Sequence, residues 1–95
     1  MNLRTLPEGQ QRVLWYVLRE RMVSFRSSDI QDFFPNKSGK EMGGLLSGLY
    51  RNEVLELISG GRDKSWKLSN ELEKNLEKYR SEILEIKTYW PHSSK

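Results

Sequence analysis

His92 is the only histidine in this 95-residue chain, and there is no cysteine. No nucleophile–base pair of the Cys–His or Ser–His kind can therefore be assembled from the body of the sequence, nor a catalytic zinc site built on several histidines. Gly39-Lys40 is followed by Glu41 rather than Ser or Thr, and it lacks the upstream glycine of a phosphate loop. Asp29 and Asp32 do not form a carboxylate cluster suited to a hard cation. The chain reads as a non-enzyme without cofactor or metal. What remains able to do chemistry is cationic. Arg62, Lys64 and Lys67 fall within six residues, countered only by Asp63, and Lys40 and Arg51 lie a little upstream. Such groups can take phosphates. The net charge of +3 is unevenly placed. Residues 1–68 hold 11 Lys/Arg against 8 Asp/Glu and residues 69–95 hold five of each, so the whole excess lies in the first two thirds. This suits a polyanionic partner, and it equally suits an ordinary soluble surface.

Local signals show which elements would position these cations. Thr5-Leu6-Pro7-Glu8 has the form of a capping box with proline in the first turn, and Val13, Leu14, Tyr16, Val17 and Leu18 are helix-spaced, so helix one is expected over about 7–21. Residues 22–26 read as a short extended link, a short strand between helix one and helix two. Ser28-Asp29-Ile30-Gln31 is a second capping box opening a short helix that Pro35 stops. Ser38-Gly39-Lys40-Glu41 is a third, and Met42, Leu45, Leu46 and Leu49 follow at i, i+3, i+4 and i+7, which predicts a helix over 38–52 with one buried stripe. Residues 54–59 and 65–68 read as strands joined by a turn at Gly60-Gly61-Arg62-Asp63, and a long helix follows from Ser69 or Asn70 to about Tyr89. The fold class is mainly α with a small β-hairpin, that is, α+β. Ten aromatic residues argue for a folded domain despite 31% charged residues.

The run from Leu45 to Ile58, followed by Gly60-Gly61-Arg62-Asp63-Lys64 and Trp66-Lys67-Leu68, resembles the winged helix-turn-helix family. The resemblance spans residues 5–69 and is of the kind shared by MarR-like and PadR-like regulators. It implies that helix 38–52 is a recognition helix for double-stranded DNA and that 59–67 is a wing. On a helical wheel Lys40, Gly44, Ser47, Gly48 and Arg51 face outward, and these are the candidate groove contacts. Arg62, Lys64 and Lys67 of the wing are candidate contacts to phosphates or the minor groove. Ser28, Lys37 and Ser38 lie where helix N-termini could also meet phosphate. Trp66 alternates with Leu68 and reads as core rather than as a base-stacking residue. The two glycines of that face, Gly44 and Gly48, could let the backbone approach a groove closely; the other reading is that Gly43, Gly44 or Gly48 lets a neighbouring helix pack tightly. Glu53 departs from the family, which often has glycine at the helix-to-strand turn, and Asn52 could take the left-handed conformation there instead.

Leu72, Leu76, Tyr79, Ile83, Ile86 and Trp90 are spaced 4, 3, 4, 3, 4. That is a heptad seam, and it suggests that residues 70–90 pair two copies of the chain as a coiled coil, beyond a winged-helix domain at 1–69. A C-terminal pairing helix also resembles those of small archaeal chromatin-associated winged-helix proteins. The alternative is that the seam covers helix one of the same chain. Residues 91–95 read as a disordered tail. Without a signal-like or membrane-spanning apolar run, a cytoplasmic, soluble protein is expected. The reading that follows is a homodimeric transcription regulator, with a protein-interaction adaptor and a non-specific architectural DNA-binding protein as alternatives.

Overall fold

The computed structural model describes residues 3–59 and 64–86. A 3-10 turn, Leu3–Thr5, precedes helix α1, Glu8–Arg19. Strand β1, Ser24–Arg26, leads into α2, Ser27–Gln31, and α3 covers Gly39–Arg51. Strands β2, Leu55–Ser59, and β3, Ser65–Leu68, form the wing, and the C-terminal segment is α4, Asn70–Lys74, followed by α5, Leu76–Ile86. This is an α+β winged helix-turn-helix arrangement. Among the described residues no helix is long and apolar enough to cross a membrane.

Helix α1 forms where expected, but its start is built differently. The N-cap is Pro7, with no side-chain cap, and Thr5 closes the 3-10 turn instead of capping α1. Gln11 ties the two together, because its Nε2 donates to the carbonyls of Leu3 at 3.1 Å and Arg4 at 3.2 Å. The second capping box is also displaced. Helix α2 starts two residues early, at Ser27, so Ser28 lies inside the first turn and Arg26, not Ser28, is the N-cap. A guanidinium has no acceptor, so only half of a box exists there: Asp29 Oδ2 accepts the Arg26 N–H at 2.8 Å. The third box forms in full. Ser38 Oγ accepts from the Glu41 N–H at 3.1 Å, and Glu41 Oε1 accepts from the Ser38 N–H at 2.8 Å.

Helices α1 and α3 end in the same way. After α3 the Val54 N–H donates to Leu49 O at 2.9 Å and the Glu53 N–H to Tyr50 O at 3.0 Å; after α1 the Met22 N–H donates to Val17 O at 3.0 Å and the Arg21 N–H to Leu18 O at 3.2 Å. These are Schellman closures, which need a left-handed residue just past the cap. Arg21 (φ 58°) and Glu53 (φ 64°) fill that position. Asn52, the residue expected to turn left-handed, stays at φ −88° as the cap.

The sheet has three strands, the hairpin and the short strand expected between helix one and helix two. The link 22–26 becomes β1 and pairs antiparallel with β3, with Phe25 opposite Trp66, giving the order β1-β3-β2. The reason is burial: Phe25 and Trp66 are both 3% exposed. The stripe of α3 packs as expected at Met42, Leu46 and Leu49, with Leu45 half-buried at its edge.

The C-terminal segment departs most from expectation. It is not one helix. Asn75 (φ −122°, ψ 41°) breaks it, and the Asn75 carbonyl accepts the Tyr79 N–H at 3.0 Å to begin α5. The break turns α5 across α1 and the 3-10 turn. Leu72 and Ile83 are fully buried and Tyr79 is 6% exposed, in the same core as Leu14, Leu18 and Leu3, with Leu76 packed half-buried against it. Leu72, Leu76, Tyr79 and Ile83 of the heptad seam are thus packed within the chain, and α4 and α5 join the core of residues 3–68 rather than standing apart from it. A seam of this periodicity fits any apolar partner, and the groove beside α1 provides one. Ile86 ends α5, and Trp90, like residues 91–95, lies outside the described residues.

Candidate nucleic-acid interface

The stripe of Met42, Leu46 and Leu49 fixes the rotation of α3, and the full box at Ser38 fixes its start. Lys40, Gly44 and Arg51 are therefore exposed and Ser47 is half-exposed, on the side away from the core. Lys40 and Arg51 stand eleven positions apart, about 16 Å along the helix axis. The carboxyl of Glu41, accepting the Ser38 backbone N–H, is held below its ordinary range chiefly by that bond and less by the neighbouring Lys37. It stays ionised at the helix N-terminus, where a negative charge is favourable.

The glycines of α3 divide into two kinds. A Cβ placed on Gly43 or Gly44 would meet nothing within 4 Å, whereas at Gly48 it would fall 2.3 Å from Gln10 Nε2. Gly48 is buried, so it leaves the candidate contact set and joins the packing of α1 on α3. Asn52 Nδ2 donates to Gln10 Oε1 at 2.8 Å across the same junction. Gly43 and Gly44 have no packing role within the described residues. They give α3 a low, open face in its middle.

Lys64 is exposed, and it lines a cleft of about 250 Å³ together with Ser27, Gly39, Gly43, Ser47 and Trp66. One cation of the wing is thus brought to the small-residue side of α3. Lys67 is not. It alternates with the buried Trp66 and Leu68, so it stands on the opposite face of the sheet, where its Nζ lies 3.7 Å from Glu56 and 3.8 Å from Glu73. Arg62 falls outside the described residues. Ser28 is exposed on α2 and Ser38 is engaged as a cap, while Lys37 lines a separate small cleft with Arg12, Phe33 and Phe34. Trp66 is core, as read from its alternation with Leu68, with the ring of Tyr50 edge-on at 6.0 Å.

Two residues near this face were not singled out from the sequence as contacts. Gly43 lines the Lys64 cleft, one helical turn before Ser47, and helical spacing could have found it. Arg26 is exposed where β1 meets α2, beside Asp29 and Ser65. Its only sequence signal is its place directly before the Ser27-Ser28-Asp29 helix start. No group of side chains able to hold a metal ion occurs among the described residues.

No protein-family model and no curated protein matches the chain. Two solved structures of dissimilatory sulfite reductase D are similar to it. A neutron crystal structure matches with a TM-score of 0.59 and 28% identity, over 67% of this chain and 97% of that one. A second crystal structure matches with a TM-score of 0.53 and 23% identity, over 70% of this chain and 95% of that one. The likeness is one of fold: a small winged-helix-like α+β body, with about a third of the present chain lying beyond the matched region.

Proposed function

We propose that this chain binds double-stranded DNA, with α3 lying in a major groove and the wing beside it. The observation that supports this best is the joining of Lys40, Ser47 and Arg51 on one exposed helix face with Lys64 across a cleft from it. An open, glycine-lined middle lets such a helix come close to base edges and backbone. Lys40 and Arg51 are spaced widely enough to reach phosphates on either side of a groove about 12 Å wide. The likeness to dissimilatory sulfite reductase D supports the fold on which this reading rests and says nothing of a ligand.

In this reading the chain acts inside the cell, and sequence-dependent binding would make it a transcription regulator. Two copies could then sit on half-sites about one helical turn apart. Such pairing needs a surface other than Leu72, Tyr79 and Ile83, which the core already uses.

The test is titration of labelled duplexes of unrelated sequence at two salt concentrations. Contact with about six phosphates gives a slope of log K against log salt near −5. Binding no tighter than about millimolar at low salt refutes the proposal. Equal affinity for all duplexes would assign a non-specific, architectural role, and a clear preference would assign a regulator.

A further inference from the structure

Strand β2 is the edge of the sheet, with β3 on one side and, among the described residues, no strand on the other. The direction of its backbone groups follows from the ladder. The Ser69 N–H donates to Val54 O at 2.9 Å, which makes Val54 and Ser69 a hydrogen-bonded pair. The register then runs Leu55 to Leu68, Glu56 to Lys67 and Leu57 to Trp66. Antiparallel pairs alternate, so Glu56 and Lys67 form the next hydrogen-bonded pair, and Leu55 and Leu57 turn their N–H and C=O groups outward. The register slips between Leu57 and Ser59, which confines the regular edge to residues 54–57.

The side chains along this edge are unusual for a solvated strand. Leu57 is 37% exposed, Ile58 53% and Tyr50, on the adjoining end of α3, 48%. Beside them a cleft of about 430 Å³ opens between the end of α3 and the start of α4. Tyr50 and Leu55 form its apolar wall, Glu53, Glu56 and Glu71 line it, and among the described residues no basic one does. Glu56 is partly engaged, by the Asn70 N–H at 3.0 Å and by Lys67 from the far side.

We propose that this edge accepts an extended, basic segment of a partner protein as an added strand. The outward backbone groups of Leu55 and Leu57 supply the pairing. Leu57 and Tyr50 receive the apolar residues of the segment, and the carboxylates of Glu53 and Glu56 receive Lys or Arg alternating with them. Charge selects the occupant. A second copy of the chain, pairing β2 with β2, would set Glu53 and Glu56 against the same carboxylates, and like charges across strands are destabilising. Duplex DNA is repelled by the same groups. The inference is independent of the nucleic-acid reading, since it uses a different surface of opposite sign.

The probe is a synthetic peptide of about six residues alternating Arg and Val, with the Glu–Val peptide as control. The full chain is titrated with each and followed by amide NMR and hydrogen exchange. The expected result is saturable binding of the basic peptide, slowed exchange at the Leu55 and Leu57 amides, and weakening as salt rises. The variant Glu53→Gln, checked for an unchanged spectrum, should bind several-fold more weakly. Because Leu57 turns its N–H outward, Leu57→Pro should still fold and should lose the slowed exchange at Leu55. Equal binding of the Glu–Val peptide, shifts without slowed exchange at Leu55 and Leu57, or no binding would each overturn the proposal. So would concentration-dependent self-association that protects the same amides.

Discussion

Arg80 Nε donates a 3.1 Å hydrogen bond to the carbonyl of Leu18, 62 positions earlier. The same carbonyl receives the Arg21 N–H in the closure of α1. A cation at a helix C-terminus is favourable there, and the contact holds α5 across α1 above Leu72, Tyr79 and Ile83.

The first prediction follows from that docking. Leu72→Ala and Ile83→Ala, each emptying a fully buried site, should lower the unfolding free energy by about 2–5 kcal/mol. Their effect, and the wild-type midpoint, should not depend on protein concentration, because the seam is satisfied within one chain. Thermal melts over a wide concentration range check this. A wild-type midpoint that climbs with concentration, and stops doing so in Leu72→Ala or Ile83→Ala, would return the seam to a dimer contact.

Glu53 is held left-handed by the closure of α3, a conformation that L side chains resist. Glu53→Gly should therefore raise stability by up to about 1 kcal/mol. Glu53→Ala keeps the Cβ and should gain nothing comparable. Equal gains from both would attribute the effect to loss of the charge, not to relief of the backbone.

The glycines of α3 should separate stability from binding. Gly43→Ala and Gly44→Ala meet open space, so each should stabilise the helix by about 1 kcal/mol. If α3 enters a groove, both should weaken duplex binding. Gly48→Ala forces the Gln10 amide aside and loosens its bond to Asn52, so its gain should be smaller than at Gly44. Denaturant melts beside duplex titrations give both readouts, and tighter DNA binding by Gly44→Ala would contradict the close-approach reading.

Among the cations, Arg51→Ala and Lys64→Ala should weaken binding to duplex DNA and lower its salt slope by about one each. Lys67→Ala should change it little, since Lys67 stands between Glu56 and Glu73 on the other face of the sheet. A Lys67 effect as large as that of Lys64 would move the DNA to that other face.

Acid should undo the α3 cap in a predictable direction. The folded-state pKa of Glu41 lies below its unfolded value because its carboxylate accepts the Ser38 N–H. The cap's contribution is therefore present above the unfolded pKa and lost as the pH falls through the folded one. Between about pH 6 and about pH 3 the wild type should lose more stability than Glu41→Gln, which keeps an acceptor that does not titrate. Parallel losses would show that other carboxylates carry the acid sensitivity.

Local chemistry decided what the sequence alone could determine. The Ser38–Glu41 box, the Met42–Leu46–Leu49 stripe and the alternation of Trp66 with Leu68 each lie within one element, so helix three, its rotation and the wing strands were legible. So were the outward positions of Lys40, Ser47 and Arg51. Other features depend on partners far away in sequence. Whether Gly48 faces solvent or a helix is settled by Gln10, 38 positions earlier. The link 22–26 was legible as a short strand, but its pairing with β3, about 40 positions later, was not. The same separation moved Lys67 from the wing's contacts to a pair of carboxylates. The heptad seam shows the limit most clearly. Its spacing specifies an apolar partner without saying which, and only the break at Asn75, with α1 and the 3-10 turn in reach, made that partner part of the same chain.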